Sequence, residues 1–142
     1  MKKRILFFLI LSLGLTLVSS CENGKDEKTS TDIDGDWLVT CIITSCGNAT
    51  VSNTITVSDG KFDAEIGSYT EAHPYYPQTQ SVSIQGTLII VSSNGIEASG
   101  NEFLSGSACN GGNGFYGIFN STKKPISGDS PSYWGNIHWE RK

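Results

Sequence analysis

Four cysteines, two histidines and a few paired acids are the residues of this 142-residue chain that could do chemistry. The cysteines are Cys21, Cys41, Cys46 and Cys109, and the histidines are His73 and His138. No C-x2-C pair exists and the histidines lie far apart in sequence, so no zinc site and no other metal is expected. Serines are abundant, but none stands in a G-x-S-x-G nucleophile turn. Asp34 and Asp36 alternate just before an apolar run, where carboxylates are ordinarily solvated turn residues. The glycine-rich run CNGGNGFYG lacks the lysine of a phosphate-binding loop and does not lead a strand into a helix. No catalytic set and no cofactor are expected, and the chain is read as not an enzyme.

Cys21 is the one cysteine whose surroundings point to a specific reaction. Residues 2–4 are Lys-Lys-Arg, and residues 5–18 form an apolar run broken only by Ser12, Gly14 and Thr16. That run is shorter than the roughly 20 residues of a membrane span and reads as a signal-peptide core. Val18-Ser19-Ser20-Cys21 closes it. The pattern of branched apolar, small, small, Cys resembles the bacterial lipobox. The resemblance implies cleavage before Cys21, acyl chains including palmitate on its thiol and new amino group, and a lipoprotein of the cell envelope held at the outer membrane. More than one chain gives stable anchoring, which a single chain does not. Residues 22–31, ENGKDEKTST, contain no aliphatic or aromatic side chain and cannot bury anything, so residues 21–32 are read as a lipidated tether. The KDEK within it resembles the charged export tags of surface lipoproteins in Bacteroidetes-type bacteria, and leaves the surface and periplasmic faces both open.

Removal of residues 1–20 leaves seven basic and fourteen acidic side chains, a formal charge of −7. The only adjacent basic pairs are then Lys123-Lys124 and Arg141-Lys142, which excludes a nucleic-acid partner. Residues 33–142 suffice for one domain with one core. Export places Cys41, Cys46 and Cys109 in an oxidising compartment, where one disulfide and one leftover thiol are expected. Cys46 and Cys109 lie in turn-like stretches and Cys41 in an alternating apolar run, which favours a Cys46–Cys109 bridge.

No window beyond residue 33 has helical periodicity, whereas period two recurs. Trp37, Val39, Cys41 and Ile43 alternate with Leu38, Thr40 and Ile42. VSNTITVS is rich in β-branched residues, and the following SDGK is a hairpin signal, because Asp-Gly suits the left-handed positions of a tight turn. EAHPYYPQTQ reads as the longest loop. Residues 81–106 supply three or four short strands around Gly86 and Asn94-Gly95, and GFYGIFNS and SYWGNIHWERK supply the last two, with Pro125 and Pro131 in the segment between. The chain is therefore all-β, with about eight strands. Its expected arrangement is a small up-and-down antiparallel β-barrel, whose closure removes sheet edges; the alternative is a β-sandwich.

Gly35-Asp36-Trp37 opens the first strand and Arg141 nearly ends the chain. This resembles the calycin superfamily of lipocalin- and avidin-like barrels. The resemblance implies a structural clasp of Gly35, Trp37 and Arg141, with the guanidinium packed on the indole. TITVSDGKFDAEIGSY is similar to the second hairpin of avidin-like barrels, although no biotin-binding polar set matches residue by residue. Aromatic residues crowd the last strands: Phe115, Tyr116, Phe119, Tyr133, Trp134 and Trp139. They either line a barrel interior that holds a small apolar ligand or fill it. His73, Tyr75 and Tyr76 sit between prolines in the longest loop and are the candidate ligand or partner contacts. Two functions follow: a lipid-anchored binding module with a small ligand in or at the mouth of the barrel, or a surface interaction or inhibitor domain. The second has a solid core and binds a protein or glycan through its loops.

Overall fold

The computed structural model describes residues 33–71, 75 and 77–142. The segments expected to be a signal peptide (residues 1–20) and a lipidated tether (residues 21–32, with Cys21) lie outside the described residues, as do His73 and Tyr76. Eight strands run in chain order: β1 Gly35–Ile43, β2 Ala49–Val57, β3 Lys61–Glu71, β4 Gln78–Ser92, β5 Gly95–Ser105, β6 Gly111–Asn120, β7 Ser127–Pro131 and β8 Gly135–Arg141. All pairings are antiparallel, and no helix occurs among the described residues. One sheet has the order β2-β1-β8-β7 and the other β3-β4-β5-β6.

Of the two expected arrangements, the sandwich is the one formed; the ladders do not close into a barrel. Local chemistry interrupts both corners. Between β2 and β3 the only backbone bridge is Ser58 with Lys61, in the hairpin turn itself. Further along, Asn53 Nδ2 donates to the carbonyl of Glu65 at 2.9 Å, where a ladder would have used a backbone N–H. A bulge between Glu65 and Gly67 then redirects β3. Between β6 and β7 a single bridge joins Phe115 and Ser132, and β7 ends on Pro131, which has no N–H to give.

The turn at Asp59-Gly60 forms as its residues dictate, with φ of 51° and 67°. Elsewhere the strands differ from the expected pattern. Residues 78–105 make two long strands instead of three or four short ones. Gly86 is not a break: it pairs with Gly100 in mid-sheet, and a Cβ on Gly86 would lie 2.1 Å from the carbonyl oxygen of Ser99. The segment between the last two expected strands contains a further one, β7, whose sequence SGDSP carries no β-branched or aromatic residue.

The core follows the period-two pattern. Trp37, Val39, Cys41 and Ile43 of β1 face inward, against Val82, Ile84 and Leu88 of β4 and Ile137 and Trp139 of β8. Phe62 stacks on Phe115 with centroids 6.2 Å apart and tilts against Trp139 at 5.1 Å, and Phe119 meets Trp37 edge-on at 6.1 Å. These rings fill the interior near Trp37. Tyr116 and Tyr133, expected with them, are exposed instead. Tyr116 falls on the outward parity of β6, and Tyr133 precedes the start of β8. Among the described residues, the buried apolar side chains form one core within one compact unit.

Candidate functional site

The up-and-down order brings to one end the strand termini joined by four connections: β1 to β2, β3 to β4, β5 to β6 and β7 to β8. Three of them, the β1–β2, β5–β6 and β7–β8 connections, are fastened to one another. The N–H groups of Thr44 and Ser45 donate to the carbonyl of Trp134 at 2.8 and 3.1 Å. The Tyr69 hydroxyl donates to the carbonyl of Cys46 at 2.6 Å. A disulfide joins Cys46 to Cys109, as the turn-like setting of both residues suggested, and Cys41 is a buried free thiol. This end is the mouth.

Inside the mouth the strand faces stop being apolar. On β3 the inward positions are Tyr69 and Glu71; on β4 they are Gln78 and Gln80. Register pairs Tyr69 with Gln80 and Glu71 with Gln78, so the four form one block. Gln80 is 0% exposed, yet neither its amide oxygen nor its amide nitrogen has a hydrogen-bond partner. An amide flip would exchange one unpartnered atom for the other and cure nothing. The amide lies against Gly106 at the start of the β5–β6 loop, where a Cβ would come within 2.0 Å of its oxygen. Glu71 Oε2, Gln78 Oε1 and Trp134 Nε1 are likewise buried and without partner. Leaving such groups dry costs about 1–3 kcal/mol each, so a cluster of them asks for an explanation.

Glu102 of β5 is the second buried polar residue of this region, at 1% exposure. Its Oε2 accepts from the Ser132 hydroxyl at 2.5 Å, and the Cys41 thiol also donates to it. Burial raises its pKa, against the lowering effect of those two donors. Burial, and then the Glu102 charge, push the Cys41 thiol far above the usual range, so it remains a thiol and not a nucleophile. Burial, and then the charges of Glu71 and Glu102, raise the pKa of the Tyr69 hydroxyl. A groove of about 520 Å³ opens beside this block, between Gly47, Asn48 and Thr50 on one side and Tyr69 and Glu71 on the other.

The candidate residues read from sequence fall in three places. Tyr75 is in the β3–β4 loop of the mouth and 86% exposed; His73 and Tyr76, outside the described residues, belong to that same loop. Gly35, Trp37 and Arg141 stand at the opposite end. There the Arg141 guanidinium carbon is 5.5 Å from the Trp37 ring centroid, and a Cβ on Gly35 would meet the Arg141 Nη2 at 2.9 Å. His138 is remote from the mouth, its Nδ1 2.9 Å from Asp129 on an exposed outer face. Among the described residues no three potential ligands cluster for a metal. Glu71, Gln78, Gln80 and Glu102 were not singled out by sequence, although a signal existed: Gln80-x-Val82-x-Ile84 and Glu102-x-Leu104 each put a polar residue in an otherwise apolar parity. No protein-family model matches the chain, and no curated protein or solved structure matches it either.

Proposed function

We propose that this protein is a lipid-anchored binding module of the bacterial cell envelope, a sandwich with a calycin-like clasp of Trp37 and Arg141, that holds a small ligand at its mouth. The observation that carries the reading is Gln80, a fully buried amide with both polar atoms unpartnered, at the end that holds the strand termini of four connections. A ligand that supplies a donor and an acceptor there would recover the desolvation cost of both atoms. The adjoining groove and the unpartnered oxygens of Glu71 and Gln78 support the same place. The filled aromatic interior directs the ligand to the mouth and away from the centre of the fold. Anchoring through Cys21 rests on the lipobox resemblance, and the Arg141–Trp37 stack supports the calycin-like reading.

A second reading, an interaction domain that grips a protein or glycan through its loops, is favoured by one observation. Tyr75 and Tyr133 are exposed by 86% and 69% at the same end, and tyrosine combines a large apolar face with a polar tip. Native mass spectrometry of the purified protein separates the two. The first reading expects a non-covalent adduct that Gln80→Leu abolishes while circular dichroism is unchanged. An adduct-free wild type, or one whose adduct survives in Gln80→Leu, would overturn the assignment to Gln80.

A further inference from the structure

The charge of the mouth narrows its ligand further, on the footing that the mouth is the binding site. Residues 33–142 carry five basic side chains: Lys61, Lys123, Lys124, Arg141 and Lys142. All five sit at the end opposite the mouth. Lys61 opens β3, Lys123 and Lys124 follow β6, and the last two end the chain. Backbone bonds hold that end together, among them Leu88 N–H to Gly60, Ser121 N–H to Asn94, Arg141 N–H to Ile126 and Lys142 N–H to Asp36. The four mouth loops contain no Lys or Arg. The carboxylates of Glu71 and Glu102 are thus gathered at an end of the fold that has no Lys or Arg to balance them, His73 being its one titratable base.

The unpartnered atoms say which kind of group would balance them. Within the β3–β4 block three are acceptors: Glu71 Oε2, Gln78 Oε1 and Gln80 Oε1. Glu71 and Gln78 face each other across the β3–β4 ladder, about 5 Å apart at Cβ, and Gln80 is one rung inward on the same face. We propose that the mouth binds a primary ammonium group, whose three N–H donors go to these three acceptors. A quaternary ammonium has the charge but no N–H to give. A carboxylate would add negative charge beside Glu71 at an end without Lys or Arg, and a neutral alcohol would leave that charge uncompensated. Gln80 Nε2 remains as a donor, so the ligand carries an oxygen acceptor close to its amine. An amino alcohol or amino sugar has this chemistry.

Four probes on one two-carbon frame test it: ethanolamine, choline, glycolate and ethylene glycol. Each is titrated into 15N-labelled protein while the side-chain amide signals of Gln78 and Gln80 are followed. Ethanolamine is expected to shift both pairs of signals, and choline, glycolate and ethylene glycol to leave them in place. Glu71→Gln is expected to weaken ethanolamine about tenfold, the effect of losing one charge-assisted hydrogen bond, with the backbone spectrum otherwise unchanged. Equal binding of choline, or an ethanolamine affinity indifferent to Glu71→Gln, would overturn the ammonium assignment. If glycolate or ethylene glycol moves the Gln80 signals and ethanolamine does not, the ammonium assignment falls and the mouth stands as the site. If none of the four moves them, both fall.

Discussion

Single residues carry the departures from an ordinary β-core. Glu102 is the sharpest, a carboxyl at 1% exposure between the hydroxyl of Ser132 and the thiol of Cys41. Burial outweighs those two donors, so its folded pKa stands above the ordinary glutamate value of about 4.3. Between those two values the folded protein holds a proton that the unfolded chain has lost. Stability contributed by this group is therefore present at acid pH and falls as pH rises towards the folded pKa. Glu102→Gln keeps an acceptor for Ser132 and removes the titration. Its urea midpoint should decline less than that of the parent as pH rises from mildly acidic to neutral; parallel curves would mean that Glu102 is ionised at little cost. Sequence periodicity alone placed Cys41 on an inward parity. Its burial and its link to Glu102 came only with the strand register that brings β1 and β5 to opposite sides of one interior. The same limit applies to Gln80: its parity was readable, but the lack of any partner depends on what Gly106 and the surrounding loops put next to it.

At the scale of elements, the hairpins that announced themselves were those set by local chemistry. Asp59-Gly60 did so because the turn demands two left-handed residues, and β1 because Trp37, Val39, Cys41 and Ile43 share one face. β4 and β5 were harder to read because glycine in a strand pattern resembles a turn signal. Gly86 and Gly100 instead let two backbones cross closely, with the Phe62 ring 3.0 Å from where a Gly86 Cβ would stand. Gly86→Ala must push the Ser99 carbonyl or the Phe62 ring aside, and Phe62 is wedged against Phe115 and Trp139. It should cost about 1–3 kcal/mol, as overpacking does, and a thermal melt equal to the parent would show that the crossing is looser than drawn. The disulfide works on a different pair of elements, tying the β1–β2 loop to the β5–β6 loop across 63 residues. Closing a loop of that length restricts the unfolded chain by about 4 kcal/mol in the entropy model. A Cys46→Ser, Cys109→Ser double variant should lose stability of that order, and non-reducing peptide mapping of the parent should link these two cysteines and leave Cys41 unlinked. The β3–β4 loop is the remaining element with an assigned role. Because Tyr75 is almost wholly exposed, Tyr75→Ala, Tyr76→Ala should keep the parent's circular dichroism. Loss of ligand or partner capture in that variant would assign the loop to the site, and unfolding would assign the rings to the core.

At the scale of the whole molecule, the fold has two unlike ends. One is polar inside; the other brings together the first and last described strands. At that second end the Trp37 indole N–H donates to the carbonyl of Ile33 at 2.9 Å, Arg141 lies over the ring, and the Lys142 N–H returns to Asp36. Ile33, the first described residue, therefore lies at the end remote from the mouth. The pairing of β1 with β8 makes the same join in backbone terms, with Trp37 opposite Arg141. Because β1 lies between β2 and β8, and β8 carries β7, loosening this register would open one whole sheet. Trp37 is fully buried and touches Phe119 of the opposite sheet, so Trp37→Ala removes both a ring contact between sheets and the anchor for Ile33. It should cost about 3–5 kcal/mol, as large aromatic truncations in cores do. Arg141→Ala deletes a guanidinium over an indole and the packing of its stem, but leaves the ladder intact, and should cost about 1–2 kcal/mol. The double variant is the decisive one. If the clasp is a single device, its loss should be smaller than the sum of the two, because removing the ring already removes what Arg141 packs on. Denaturant titration of all four proteins measures this coupling. Strict additivity would reduce Trp37 to an ordinary core residue and Arg141 to a solvated cation beside it.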